Sequence, residues 1–452
     1  MAESLHILQI STADIAGGAE RVALDLHRKY LAAGHNATLA VGWKFRNNPN
    51  VIQIPNEEYR SHWTQFWNSL APQIKNANTP LPHHKLRFRR LLKSIGNPIR
   101  AYNLSQGHDD FDFPGTRWLI EHAQHFDIVH LHNLHDGYFD LRLLPELCMV
   151  APVVVTAHDI WLATGHCAQS VDCSRWREGC GSCPHLTFPP AIRKDNTHAN
   201  WLEKQSIYHR CRASDQVSHS TPRLTLTSPS QWGIDTLNES ILASAASRML
   251  TIPNGVESAV FFPRDRDAIR AELGIPHEAQ VIAFSAADRS NPYKDIETLS
   301  RALSYIADTK PLIHFIAIGN ARDLSLSDQV SLHAPGYLFE PAEIARYLSA
   351  SDVFIHAARA DTFPLAILEA QACGIPVIAT DVGGISETFV EGRTGILVPP
   401  MDADALIHAC LELLADDERR NAMKKAAIQH ATKNFSLQRM MERYIDLYRS
   451  LT

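Results

Sequence analysis

Short apolar runs alternate with amphipathic helical patterns along this chain, and the alternation occurs twice. The first half offers HILQIST (6–12), ATLAVGW (37–43), DIVHLHN (127–133), PVVVTAH (152–158) and LTLTSPS (224–230). The second offers VIAFSAA (281–287), IHFIAIG (313–319), DVFIHAA (352–358), PVIATDV (376–382) and GILVPP (395–400). Most lack strict polar–apolar alternation, the mark of strands buried on both faces of a parallel sheet. Helical patterns such as AERVALDLHRKYLAAG (19–34) separate them. This predicts βαβ units, hence an α/β chain of two Rossmann-like, doubly wound domains facing each other across a cleft. Ligands bind such sheets at the C-terminal ends of their strands.

At 452 residues the chain is too long for one ordinary core. TIPNGVESAVFFPRDR (251–266), rich in Pro, Asn and Gly, reads as the connection between domains. The expected division is an N-terminal domain over 1–255, a C-terminal domain over 256–430, and a helical segment over 431–452 that crosses back to the first. Apolar runs such as PVVVTA (152–157) are too short to span a bilayer, and LHILQIS reads as a strand. With eight cysteines in so long a chain, these features predict a cytoplasmic protein. A formal net charge of −6 argues against a nucleic-acid partner.

One segment breaks the rhythm. Residues 59–108 contain no Asp or Glu but eight cations: Arg60, Lys75, Lys85, Arg87, Arg89, Arg90, Lys93 and Arg100. Trp63, Phe66, Trp67 and Phe88 lie among them. HHKLRFRRLLKSIG (83–96) places Leu86, Arg89, Arg90 and Lys93 at helical spacings, with Phe88, Leu91, Leu92 and Ile95 available for an apolar side. Such a helix either lies on an anionic membrane or is part of a solvated hairpin covering the domain.

The chemistry concentrates in ARADTFPLAILEAQACGIPVIATDVGGISE (358–387). Pro364 suits the first turn of a helix whose apolar stripe is Leu365, Leu368 and Ala372, and Gly374 stops it. Asp361 then precedes the helix and Glu369 lies inside it, roughly 12 Å away if the span were helical. That exceeds the roughly 5–9.5 Å between the paired carboxylates of a glycoside hydrolase. The spacing fits two ends of one elongated ligand.

An acid, seven residues, a Glu and then A.ACG.PV.AT..GG..E resembles the signature of retaining GT-B glycosyltransferases of family 4. IPNGVESAVFFP (252–263) is similar to that family's PNGVD…F.P connection, with Glu257 where Asp is usual. The resemblance implies that Asp361 contacts the donor sugar and that Glu369 binds the ribose hydroxyls, for which a carboxylate can accept from both members of a diol. Asp361 is one methylene shorter than the usual Glu, and Pro364 stands where Gly is usual, which removes one backbone donor. The N–H groups of Phe363 and Leu365 remain for phosphate or sugar at the helix N-terminus. Arg289 and Lys294 in SAADRSNPYKD (285–295) match the Arg and Lys that bind the diphosphate. Gly17 and Gly18, after the first strand, match a loop against the donor phosphates. His158 matches a His near the reacting carbon, with Asp159 either orienting its ring or capping a helix. Gly383 and Gly384 are expected to shape the donor pocket, and Glu387 begins the following helix. No convincing acidic pair for a catalytic metal is present, so the implied reaction needs no cofactor. UDP-sugars are the expected donors, with GDP-sugars as the alternative.

HCAQSVDCSRWREGCGSCPH (166–185) places Cys167, Cys173, Cys180 and Cys183 at C-x5-C-x6-C-x2-C. Structural zinc is the favoured reading, with His166 and His185 as spare ligands; two disulfides or four free thiols are the alternatives. The other cysteines, Cys148, Cys211, Cys373 and Cys410, read as small core residues.

These features together imply a transferase that moves a sugar from a nucleotide donor to a glycan, or to a polyprenyl-diphosphate-linked glycan at a membrane, with retention at the anomeric carbon. A GT-B nucleotide-sugar epimerase and a non-catalytic nucleotide-sugar-binding subunit are the competing classes. A dinucleotide oxidoreductase is disfavoured, because neither half shows G-x-G-x-x-G after its first strand.

Overall fold

A computed structural model of the chain describes residues 3–15, 17–72, 82–217, 224–286, 290–310, 312–321, 326 and 330–452. Two compact units emerge. The first comprises Met1–Pro229, Gly233–Ile252 and Arg443–Thr452, and the second Ser230–Trp232 and Pro253–Glu442.

The first unit is built on β1 (His6–Ala13), β2 (Asn36–Trp43), β3 (Val51–Gln53), β4 (Ile128–His132), β5 (Val153–Thr156), β6 (Leu224–Ser228) and β7 (Arg248–Thr251). Every pair is parallel, in the order β3-β2-β1-β4-β5-β6-β7. The second unit repeats the plan with β8 (Gln280–Ala286), β9 (Ile313–Gly319), β10 (Ser331–Gly336), β11 (Val353–His356), β12 (Val377–Thr380) and β13 (Gly395–Val398). Its order is β10-β9-β8-β11-β12-β13, again parallel throughout. In both sheets the strand order reverses beside the first strand, at β1/β4 and at β8/β11, which is where a doubly wound sheet opens a crevice for ligands.

The ten strands expected from the sequence are present. Three more were not anticipated, β3, β7 and β10, and all three are edge strands. An edge is covered less completely than a central strand, so its sequence need not be a continuous apolar run. RMLT and SLHAPG are accordingly exposed or half-buried along their whole length.

Two buried polar clusters brace the cores. Tyr448, in the helix Leu437–Arg449, places its hydroxyl 3.0 Å from that of Tyr30 and 2.6 Å from His130 Nδ1. The Tyr444 hydroxyl lies 2.9 Å from Thr156 Oγ1. These contacts tie the last ten residues into the first unit under β4 and β5. In the second unit the buried guanidinium of Arg270 donates to Asp352 Oδ2 at 2.8 Å and to the carbonyls of Ala350 and Ala279, both at 2.9 Å. Asp352 also accepts from the Val281 N–H, so this cluster fixes the entry of β8 against that of β11.

Removing one partner of a buried, hydrogen-bonded ion pair leaves the other charge without compensation. Arg270→Ala should therefore destabilise the second unit by about 3–5 kcal/mol. Urea unfolding followed by a probe within that unit checks this; a change below about 1 kcal/mol, the scale of an exposed pair, would contradict the assignment.

Candidate active site

In the second unit the chain leaving β11 carries the signature acid. Lys294 Nζ donates to Asp361 Oδ2 at 2.8 Å, and His356 Nε2 lies 3.2 Å from both groups. Burial alone would raise the Asp361 carboxyl, but the Lys294 ammonium and the His356 ring outweigh it and hold the acid well below the usual carboxylate range. Burial, reinforced by Lys294, pushes the His356 imidazole down and keeps it neutral near pH 7. His356 was not anticipated. The sequence signal was only a histidine at the C-terminal end of a strand, in a chain with 24 of them.

The loop is shaped from beneath. Gly383 adopts φ +58°, and a Cβ there would collide with the Asp361 carbonyl oxygen. Gly384 donates its N–H to that same oxygen at 3.1 Å, and a Cβ on it would strike the Thr362 carbonyl. The pair therefore acts by letting two backbone segments touch. Asn254, in the connecting PNGV, donates its side-chain amide to the Phe363 carbonyl at 3.2 Å. Glu387 accepts the N–H groups of Gln231 and Trp232, at 2.6 and 2.8 Å, and so serves the start of a different helix from its own.

The helix Leu365–Ala372 follows Pro364, which stands in extended conformation just before the first turn rather than within it. Phe363 and Leu365 flank its N-terminus, where backbone N–H groups lack intrahelical partners. Glu369 is 4% exposed and lines a pocket of about 190 Å³. Ser285 and Ala286 at the end of β8, Ile318 and Gly319 at the end of β9, and Tyr337 after β10 complete the walls. Ser285 Oγ stands 3.2 Å from His356 Nδ1, which joins this pocket to the Asp361 cluster. Arg289 lies outside the described residues.

In the first unit, Gly17 precedes the helix Gly18–Ala32 with φ +66°, and the space beside Gly18 is open. His158 follows β5. Burial pushes its ring down to about 4, so the imidazole is neutral, with Nε2 3.1 Å from His132 Nδ1. Asp159 does not orient that ring. It pairs with His135 Nε2 at 2.7 Å and accepts the Trp161 N–H at 2.9 Å, which caps the following turn.

All eight cysteines are free thiols, which sets aside the disulfide alternative. Cys167, Cys173, Cys180 and Cys183 line one small cavity together with His166. Burial pushes the Cys167 thiol up to about 12 and that of Cys180 up to about 11. Among the described residues no three His, Cys, Asp or Glu side chains stand as a ready-made set of metal ligands.

The basic segment folds as helices His62–Ser69, His83–Gly96 and Pro98–Ser105, with Lys75 outside the described residues. Two of its cations are matched by acids just outside it. Arg60 donates to Asp112 at 2.9 Å, and Arg100 Nε to Asp110 at 2.9 Å. Arg89 and Lys93, expected on the outward polar face, instead border a hollow shared with Glu57 and Glu58. Burial, with Arg89 nearby, pushes the Lys93 ammonium down to about 8. Among the described residues no helix is long and apolar enough to cross a membrane.

Comparison with known proteins bears on the family and the fold. Residues 265–430 match the model for glycosyl transferases group 1. D-inositol 3-phosphate glycosyltransferase 1 of Catenulispora acidiphila is 31% identical over 46% of this chain and 53% of its own, so the chain spans about half the length of that relative. The putative colanic acid biosynthesis glycosyl transferase WcaC of Escherichia coli is 24% identical over 99% of this chain and 100% of its own. Anabaena HepE, solved with UDP and glucose, superposes with a TM-score of 0.62 at 15% identity, covering 99% of this chain and all of that one. The match to glycosyl transferases group 1 thus covers residues 265–430, and the chain as a whole takes the two-domain α/β fold of GT-B glycosyltransferases.

Proposed function

We propose that this protein is a retaining hexosyltransferase of family 4 that moves a sugar from a nucleoside diphosphate to a hydroxyl of a glycan or lipid-linked glycan. The observation that carries the reading is the continuity of the Glu369 pocket with the Lys294–His356–Asp361 cluster. The pocket offers apolar walls for a base and a buried carboxylate for the ribose diol. The cluster offers a cation for the diphosphate and an ionised acid for the sugar hydroxyls. Lys294, fixed by Asp361, is placed where a departing phosphate gains charge, and stabilising such charge in a site closed to water is a large catalytic contribution. Arg289 joins it on the strength of the sequence resemblance. The attacking hydroxyl would approach the face the nucleotide leaves, its proton passing to the departing phosphate oxygen. UDP-sugars are the favoured donors, since HepE was solved with UDP and glucose; GDP-sugars are the alternative.

Thermal-shift measurements with UDP, GDP, ADP and dTDP test this first, because a ligand that binds only the folded state raises its melting temperature. UDP should give the largest shift, and no response to any of the four would refute the reading. Glu369→Ala should weaken binding of the responding nucleotide by about 1.5–3 kcal/mol, the scale of a lost charged hydrogen bond, as read by calorimetry. Lys294→Ala should lower kcat more than it raises KM, because the charge it meets develops in the transition state.

We further propose that the first unit rests on a membrane surface. Trp63, Phe66, Phe88, Leu91, Ile99 and Tyr102 are each more than half exposed, and Lys85, Arg87 and Arg90 point outward beside them. Because Arg60 and Arg100 are paired and Arg89 and Lys93 turned inward, apolar insertion rather than charge would supply most of the binding. It would suit a polyprenyl-diphosphate-linked acceptor at the inner face of the membrane, and the name of the Escherichia coli relative places that protein in colanic acid biosynthesis. Co-sedimentation with anionic phosphatidylglycerol vesicles should be strong and should fall when Trp63, Phe66, Leu91 and Ile99 become Ser. Recovery in the supernatant with and without vesicles would leave a soluble acceptor.

A further inference from the structure

The second unit has another hollow, of about 330 Å³, at the strand ends opposite those that carry the Glu369 pocket. Gln280, which begins β8, Asp352, just before β11, and Pro376, just before β12, line it. The Glu369 pocket and the Asp361 cluster use the far ends of the same strands, through Ser285 of β8 and His356 of β11. Four residues of strand separate Asp352 from His356, roughly 13 Å, so the two sites are distinct.

Four cations line this hollow. Arg266 and Arg270 come from the helix Arg266–Leu273, and Arg420 and Lys424 from the helix Asp417–Asn434. Three acids accompany them, Glu278, Asp352 and Asp417. Asp352 is shared between two guanidiniums: Arg266 Nη1 donates to Oδ1 at 3.2 Å and Arg270 Nη2 to Oδ2 at 2.8 Å. Asp417 pairs with Arg420. Glu278 is exposed, where water and salt screen its charge. Lys424 is the cation left over. Among the described residues its ammonium has no hydrogen-bond or ion-pair partner.

The stem of Lys424 is held in place all the same. Gly374 adopts φ +78°, and a Cβ there would stand 3.2 Å from Lys424 Cγ, so the lysine lies across the turn that follows the helix Leu365–Ala372. Burial pushes its ammonium down, Arg266 and Arg270 add to this, and Asp352 partly offsets it. An anion between Lys424 and Arg266 would relieve that repulsion. Donors for it are at hand: the three N–H bonds of Lys424, the Nη2 of Arg266, which the contacts to Asp352 and Asp267 leave open, and the Asn421 carboxamide on the same wall. Arg270 and Arg420 have donors committed to backbone carbonyls and to carboxylates, and add mainly their field.

We propose that this hollow binds a phosphate group, gripped by Lys424 and Arg266 with Asn421 as a neutral donor. Paired lysine and arginine donors suit a tetrahedral oxyanion, whose oxygens accept several charge-assisted hydrogen bonds at once. The hollow is larger than a bare phosphate, so free phosphate and a small phosphomonoester share this chemistry. The inference does not rest on the transferase reading.

The test melts full-length protein in potassium phosphate and in potassium chloride of equal ionic strength. At about five times its dissociation constant, phosphate should raise the melting temperature of the wild type by about 2–4 °C. Lys424→Gln should lose that rise. Lys294→Ala, which alters the Asp361 cluster, should keep it. General exclusion of phosphate from protein surfaces would stabilise all three proteins alike. A rise that survives in Lys424→Gln, a rise lost in Lys294→Ala, or no rise in the wild type would each overturn the assignment. Glycerol 3-phosphate separates the two sources. A larger Lys424-dependent rise than inorganic phosphate gives at the same concentration assigns the site to a phosphomonoester, and an equal or smaller one assigns it to the free ion.

Discussion

Parallel strands buried on both faces leave only their ends to chemistry. Each sheet here is sandwiched by helices, and its interior strands carry no Asp, Glu, Lys or Arg, only apolar residues and uncharged polar ones such as Gln9, His130, Thr156 and Thr227 at full burial. A charged group within such a strand would be desolvated without recompense. The polar groups therefore collect where the chain turns out of the sheet. Glu20 follows β1, His135 follows β4, His158 follows β5, Lys294 follows β8, and Asp361 with Glu369 follow β11. The fold does not decide which reaction occurs, but it decides where a reaction can be placed.

At those ends, backbone proximity matters as much as the charged side chains. Asp361 is held at its angle because Gly383 and Gly384 let one turn press against another, and because Asn254 reaches from the interdomain connection to the Phe363 carbonyl. The shorter acid at position 361 is consistent with this packing. It meets Lys294 directly, and the ion pair gives the lysine a fixed position before any phosphate arrives. Pro364 removes one donor from the helix start, yet presets the backbone that carries Glu369 toward its pocket.

The basic segment shows how composition can mislead when read apart from its surroundings. Its eight cations and lack of acids describe a window of sequence, not a surface. Asp110 and Asp112 lie just beyond the window and neutralise Arg100 and Arg60, while Glu57 lies just before it. What remains outward is chiefly aromatic and aliphatic. A similar displacement applies to Glu387, which was expected only to begin the following helix. It serves instead a helix start over 150 residues away in sequence.

By itself the sequence determined the α/β class, ten of the strands and the acid-x7-Glu signature at a helix start. Each rests on local pattern: buried parallel strands must be apolar, turns need glycine, and a helix beginning at proline fixes its own register. Only tertiary structure decided the rest. It recruited His356 to Asp361, assigned Asp159 to His135 rather than His158, and paired Arg60 and Arg100 of the basic segment with Asp112 and Asp110. Those outcomes depend on which strand ends become neighbours across 60 or more residues, and on desolvation, which is a property of the assembled surroundings and is written in no single stretch of chain.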